Sequence, residues 1–367
     1  MQKLNEYVQI ITVIKEDQLL FGKREIAGLD IGSSAIKLVE VRETRQGYQL
    51  KNVGESVLQP EAIVDKVIRD QDAVIDALSA LIDNLRFKTK NVVISISGNS
   101  VIIKKVSLPV MSDDELREAI PWELKQFIPQ SIEDINYDFQ ILPGDDSDGT
   151  MEVLIAAAKK DLTNGYIQIV NEVGLNPVVV DIDLFALENM YEANYSETSG
   201  ILALVNVGAA ITNINILENG ISVFARDLAV GGNQFNEWAQ KELGIGFEES
   251  EILKLSLGTK EVTADLNRIV NDFRESICGE IKRTLDFFSS TFSKQKVDKI
   301  MLGGGSSKVP NLGSELENIT HCEVEAVNPF KNIMYSVSDF DPAYIKDIAP
   351  KMGVAVGLAL RKIGDKL

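Results

Sequence analysis

The chain has 367 residues, 45% hydrophobic and 25% charged, a composition that suits two globular domains with substantial cores. Its formal net charge of −18 argues against binding the nucleic-acid backbone, which needs clustered cations, and disfavours direct docking on anionic lipid. A lone histidine, His321, disfavours a histidine-ligated metal site or a His-based triad, and Cys278 and Cys322 show neither metal spacing nor a disulfide framework, which reads as reduced thiols.

No apolar run approaches the ~18 residues of a membrane span. The short run Ile10–Ile14, flanked by Glu6, Lys15, Glu16 and Asp17, lacks the character of a signal peptide. The expected location is therefore the cytoplasm. Residues 1–24 read as a poorly ordered appendage, with an added edge strand, a partner-binding segment or an extension from an early start codon as alternatives. Leu29 and Ile31 then flank Asp30 in a strand, Gly32-Ser33-Ser34 makes a tight turn, and Ile36, Leu38 and Val39 resume an extended run. Consecutive N–H groups and two short hydroxyls can form a nest for phosphate oxygens, and the Asp30 carboxylate can hold Mg²⁺ through water. By itself this pattern reads first as a hairpin with an exposed Asp.

An amphipathic helix is predicted over 72–85, and strands over 91–97 and 100–108. The capping box Ser112-Asp-Asp-Glu115 opens a helix that Pro121 is expected to kink or interrupt. Strands over 137–142 and 151–158 and a helix over 161–173 complete a β/α module, residues 92–173, inserted within the first half. A buried strand over 176–183 and a helix over 184–191 then cross to the second half. There Leu202–Leu217 repeats the first stretch, with Asn206 over Asp30, Gly208 over Gly32, and Ala209-Ala210 over Ser33-Ser34. A turn, Gln46-Gly47 or Asn219-Gly220, carries each copy into a further strand. Such a duplication implies two similar α/β halves whose turns open on one cleft.

Further on, Gly231-Gly232-Asn233 opens a helix to Leu243, which is either an anion site or a plain turn. Glu251 and Lys254 share one helical face, usually a solvated pair. A long helix is predicted over 262–292. The strand Lys299–Leu302 enters Gly303-Gly304-Gly305-Ser306-Ser307-Lys308, where three glycines admit a flat ligand and Lys308 can lie over a purine; a helix is expected to start near Pro310. Residues 349–360 form a helix of small residues. Neither a Walker A loop nor a G-x-G-x-x-G fingerprint occurs.

Phosphate turn, crossing helix, second phosphate turn, Gly-rich loop and small-residue helix, in that order, resemble the actin, Hsp70 and sugar-kinase superfamily. The inserted module resembles the relocated subdomain of the division protein FtsA. From about Phe21 to Leu367 the chain resembles the PilM family of type IV pilus assembly proteins. That likeness is carried by Gly28–Lys37, Ser100–Lys105, Ala156–Lys160, Gly231–Phe235, Asn328-Pro329-Phe330 and Ala355–Leu360. It implies a duplicated two-domain actin-like ATPase fold of the α/β class: a first domain of residues 25–91 and 174–199, the FtsA-like insert over 92–173, and a second domain over 200–367.

The same resemblance implies ATP and Mg²⁺ between the domains. Asp30 would be the water-mediated magnesium residue, with Gly32, Ser33, Ser34 and Lys37 at the phosphates. Asn206, Gly208, Ala209, Gly231, Gly232 and Asn233 would close from the other side. Glu251 and Lys254 would meet the ribose and adenine edge, with Gly303, Gly304, Gly305, Ser306 and Lys308 around the base. Asp183 would be the water-orienting catalytic residue beside Asp30. Asn206 stands where the superfamily usually has Asp, and Ile211 where many relatives have a hydroxyl. Phosphoryl transfer needs electrostatic stabilisation, so slow or negligible ATPase activity is expected.

The implied role is a cytoplasmic scaffold on the inner membrane, gripping the cytoplasmic N-terminal peptide of PilN through the insert. Pilus motor components and a homo-oligomer or ring belong to the same implied assembly. A filament-forming cytomotive protein and a sugar or acid kinase of this fold are the competing readings.

Overall fold

A computed structural model describes residues 11–12, 25–98, 100–142, 149–195, 199–258, 263–293 and 296–362, so apart from Ile11 and Thr12 the appendage 1–24 lies outside the described residues. In chain order the first half contains β1 (Ile11–Thr12), β2 (Ile26–Ile31), β3 (Ala35–Thr44), β4 (Gly47–Val57), β5 (Ile63–Val64), β6 (Val67–Ile68), α1 (Gln71–Leu85) and β7 (Asn91–Ile96). Next come β8 (Val101–Pro109), α2 (Asp113–Leu124), β9 (Ile135–Ile141), β10 (Thr150–Lys159), α3 (Lys160–Glu172), β11 (Asn176–Ile182) and the crossing helix α4 (Asp183–Asn194). The second half contains β12 (Ile201–Val207), β13 (Thr212–Glu218), β14 (Ile221–Leu228), α5 (Asn233–Leu243), α6 (Phe247–Leu255) and α7 (Ala264–Phe288). It ends with β15 (Lys299–Gly303), α8 (Leu312–Thr320), β16 (Glu323–Ala326), β17 (Ile333–Met334), α9 (Pro342–Ile348) and α10 (Gly353–Ala359).

The duplication is visible in the sheets. The first has the order β1-β11-β7-β2-β3-β4-β17 and the second β14-β13-β12-β15-β16. Each is an antiparallel meander, β2-β3-β4 or β12-β13-β14, extended by two parallel strands, β7 and β11 or β15 and β16. Strand β2 is buried along its whole length, as expected of a central strand covered on both faces. A separate three-stranded sheet, β8-β10-β9, packs its own core against Leu116, Ile120 and Leu124 of α2. Strand β7 and helix α3, by contrast, pack with the first sheet. Ile11 and Thr12 pair antiparallel with Val180 and Val179, adding a short edge strand there.

Local signals explain most boundaries. Asp70 caps α1 by accepting from the Ala73 N–H at 3.0 Å, and Ser112 and Glu115 form the capping box of α2. Asn219 and Gly220 both have positive φ, as a tight two-residue hairpin turn requires. Helix α2 runs through Pro121 to Leu124, because the interruption falls in its last turn, where few backbone bonds remain to be lost. A 3₁₀ turn over Gly305–Lys308 delays α8 to Leu312. The small-residue stretch after Ile348 begins with a 3₁₀ turn at Pro350 before α10.

Helices α4 and α10 lie in the core shared by the two large sheets. They approach so closely that a Cβ on Gly357 would meet the Ala186 carbonyl at 1.7 Å, and β2 packs as tightly on α10, since a Cβ on Gly28 would lie 2.1 Å from the Ala355 carbonyl. Just after α10, the Arg361 guanidinium donates to both carboxylate oxygens of Asp181, at 2.7 and 2.8 Å, in a pair with no exposed surface. Nearby Glu188 of α4 accepts from Asn215 at 3.3 Å. Burial pushes the Glu188 carboxyl up from 4.5 to about 7, against the lowering influence of Asn215 and Arg361.

In the unfolded chain Glu188 ionises near 4.5, whereas in the fold it keeps its proton to about 7. The native state then binds the extra proton, and stability falls as pH rises through that window. Glu188→Gln should remove this decline. Urea unfolding at about pH 5 and about pH 8 should show the variant gaining on the parent by ~2–3 kcal/mol at the higher pH. Equal stability differences at the two pH values would contradict a protonated native Glu188.

Candidate nucleotide site

The two tight turns are built alike. The Gly32 N–H donates to the Ala35 carbonyl at 3.1 Å, and the Gly208 N–H to the Ile211 carbonyl at 3.0 Å. A Cβ at either glycine would press on that same carbonyl, at 3.0 and 2.7 Å, so both turns demand glycine. Across the strands Asp30 pairs with Lys37, whose ammonium donates to the carboxylate at 2.8 Å, while the Asn206 side-chain amide donates to the Asn213 side-chain oxygen at 3.0 Å. The geometry is repeated, but an ion pair in one half becomes two neutral amides in the other. A carboxylate reappears one strand further on, where Asp227 accepts from the Asn213 amide at 2.7 Å.

Around the second turn several distant segments are tied together. The N–H groups of Gly232 and Asn233 donate to the carbonyls of Gly208 and Ala209, at 2.9 and 2.8 Å. The Ser306 hydroxyl donates to the Gly208 carbonyl at 2.9 Å. Gly304, at φ +92, has no room for a side chain, since a Cβ would lie 2.3 Å from the Val207 carbonyl. The Lys254 ammonium donates to the Gly232 carbonyl at 3.2 Å and to Glu251 at 2.7 Å, and Glu251 also accepts from Asn236 at 2.6 Å. Burial lowers the Lys254 pKa, with Glu251 opposing. Glu251 and Lys254, which the sequence would leave on a solvated face, thus join the turn and the Gly-rich loop. Lys308 does not join them; its ammonium is held by Asp347 of α9.

The halves meet at contacts that sequence reasoning missed. The Gly98 N–H, just past β7, donates to Asp227 at 2.6 Å, and a Cβ at Gly98 would lie 3.2 Å from Ile211 Cδ1 of the second turn. Burial raises the Asp227 carboxyl, against the hydrogen bonds from Asn213 and Gly98. Lys351 donates to Glu55 at 2.6 Å, and Glu55 is the cross-strand neighbour of Lys37. Asp183, the first residue of α4, is buried and accepts from Ser95 at 2.6 Å and from Lys66 at 3.0 Å. Burial opposes ionisation of this carboxyl, yet Lys66 and Ser95 hold it below the usual range. The signal for Lys66 was the pattern Ile63-Val64-Asp65-Lys66-Val67-Ile68, two β-branched pairs around a polar dipeptide. Among the described residues no group of three or more His, Cys, Asp or Glu side chains could hold a metal ion. Asp30, paired with Lys37, stands at the end of β2 beside the Gly32 turn.

Two duplicated sheets, paired glycine turns and a Gly-rich loop between them define an actin-like ATPase fold. The crystal structure of ethanolamine utilization protein EutJ from Carboxydothermus hydrogenoformans shares it, with a TM-score of 0.55 and 14% identity over 93% of this chain and 90% of that one. The profile of the family described as type IV pilus assembly protein PilM matches residues 28–363, and the chain belongs to that family. It is also similar to a chain of the PilM-PilN type IV pilus biogenesis complex, with a TM-score of 0.84 and 26% identity over 93% of this chain and 99% of that one. No helix among the described residues is long and apolar enough to cross a membrane.

Proposed function

We propose that this type IV pilus assembly protein is an ATP-binding scaffold whose two halves close on the nucleotide. The reading rests on one observation: the second turn, the Gly231-Gly232 pair, the Gly304–Ser306 loop and the Glu251–Lys254 pair form a single hydrogen-bonded cluster. Asp30, Gly32, Ser33, Ser34 and Lys37 would hold the phosphates from the first half, with Gly208, Ala209, Gly232 and Asn233 opposite. Mg²⁺ would rest on Asp30 through water and neutralise phosphate charge. Glu251 and Lys254 would meet the ribose and adenine edge, with Gly303, Gly304, Gly305 and Ser306 about the base.

Hydrolysis is expected to be slow, because the second turn carries the neutral Asn206, paired with Asn213, in place of a carboxylate. The partner is the cytoplasmic N-terminal peptide of PilN, bound as an extended segment by the inserted module, in keeping with the pairing of PilM and PilN in the similar complex. That contact would keep the protein in the cytoplasm, at the inner membrane. Nucleotide then acts as a clamp that favours the closed state.

Calorimetric titration with ATP tests the site. Saturable binding that depends on Mg²⁺ is expected, weakened about tenfold or more in Asp30→Ala. No heat with protein stripped of nucleotide, or an unchanged affinity in the variant, would overturn the assignment.

A further inference from the structure

Lys66 sits at the tip of the β5–β6 hairpin, and both turn residues, Asp65 and Lys66, adopt positive φ, at 50° and 63°. A two-residue hairpin turn requires positive φ at both positions, and at Lys66, which is neither glycine, asparagine nor aspartate, surrounding contacts must enforce it. Three contacts do so here. The Lys66 ammonium, 12% exposed, is 3.0 Å from Asp183, which is 4% exposed. The side-chain stem lies against Gly98, at the junction with Ile211 of the second turn. The Lys66 backbone carbonyl accepts from the buried Tyr166 hydroxyl of α3 at 3.0 Å.

The ammonium therefore lies at the start of the crossing helix, on a stem that passes the Gly98–Ile211 contact and within electrostatic reach of Asp30. Burial opposes its charge, but Asp183, with Tyr166 and Asp30 beyond it, outweighs burial and raises its pKa. Lys66 thus stays cationic and can bind an anion. Ser97, 1% exposed, sets its hydroxyl beside the Asp183 carboxylate without completing a well-formed hydrogen bond. This unspent donor, like the Lys66 charge, suits a phosphate oxygen or a water attacking it.

We infer that Lys66 is the terminal-phosphate sensor of this protein, exchanging Asp183 for the γ-phosphate of a nucleoside triphosphate and passing that exchange to the inserted module through Tyr166. The inference rests on the nucleotide reading above. When the ammonium turns to the phosphate, the Asp183 carboxylate is released beside Ser95 and Ser97, and the hairpin tip moves with the ammonium. Tyr166 holds that tip by its carbonyl. Because α3 follows β10 without a loop, a shift of α3 is delivered to the middle strand of the β8-β10-β9 sheet. A diphosphate, ending short of Lys66, leaves the ion pair in place. The module then distinguishes triphosphate from diphosphate without touching either.

The test is affinity and hydrogen exchange of the full chain with ATP and with ADP. The parent should prefer ATP, and ATP alone should change exchange over residues 150–172. Lys66→Met should reduce the ATP-to-ADP affinity ratio about tenfold and abolish the exchange response. The double variant Lys66→Met/Asp183→Asn, which leaves no buried carboxylate without its cation, should do the same. Tyr166→Phe should bind ATP as the parent does but lose the response in α3 and β10. An intact ATP preference in the double variant, or an intact response in Tyr166→Phe, overturns the sensor while leaving the nucleotide site standing. Absence of saturable ATP binding by the parent overturns both.

Discussion

Arg361→Met is expected to lower the free energy of unfolding by about 3–5 kcal/mol, the usual cost of stripping a buried ion of its partner. Asp181 and Arg361 have no exposed side-chain surface, and the guanidinium engages both carboxylate oxygens. Removing the cation leaves a carboxylate that water cannot reach. Removing both charges is a different matter. Asp181→Leu combined with Arg361→Met should recover most of the loss, because well-packed apolar side chains often replace a buried pair at little net cost. Urea unfolding of the parent, the single and the double variant reads the coupling directly. A single-variant loss under about 1 kcal/mol would mean that the pair is open to solvent in solution.

Gly357→Ala should be at least as damaging, by about 3 kcal/mol or more, and a failure to accumulate folded protein would report the same defect. The added methyl would have to occupy the space of the Ala186 carbonyl, 1.7 Å away, and both partners are helical backbone that cannot swing aside. The matched control is Gly165→Ala in α3. There a Cβ meets nothing within 4 Å, so the better helix former should raise stability by ~0.5–1 kcal/mol. Thermal melts of the two variants should therefore move in opposite directions. A melting point for Gly357→Ala near that of the parent would show that α4 and α10 do not pack this closely.

The sequence and the structure agree best where information is local. Gly32-Ser33-Ser34 and the turn at Gly208 announce themselves because a glycine between two β-rich runs has few other uses, and copying the pattern makes the duplication legible. Asn219-Gly220 is likewise a turn that carries its own geometry. What escaped is what depends on distant pairing. Lys66 and Asp183 are 117 positions apart, Lys351 and Glu55 are 296 apart, and Arg361 and Asp181 are 180 apart, so no window of sequence holds both members. Only the register of β12, β13 and β14 shows Asp227 linked through Asn213 to Asn206. The Lys308 ion pair is hidden for the same reason, because a lysine beside a glycine loop says nothing about an Asp 39 residues downstream.

The position of α10 has a consequence for the order of synthesis. This last described helix packs against β2 and α4, so the first sheet borrows its cover from a segment made long after it. On a ribosome adding roughly 5–20 residues per second, β2 emerges tens of seconds before the segment that covers it. Through that interval Gly28 and its neighbours face an open groove shaped for a helix not yet made. A chain released before α10 is made would have both glycine turns intact and the first sheet uncovered, a natural substrate for chaperones and proteases.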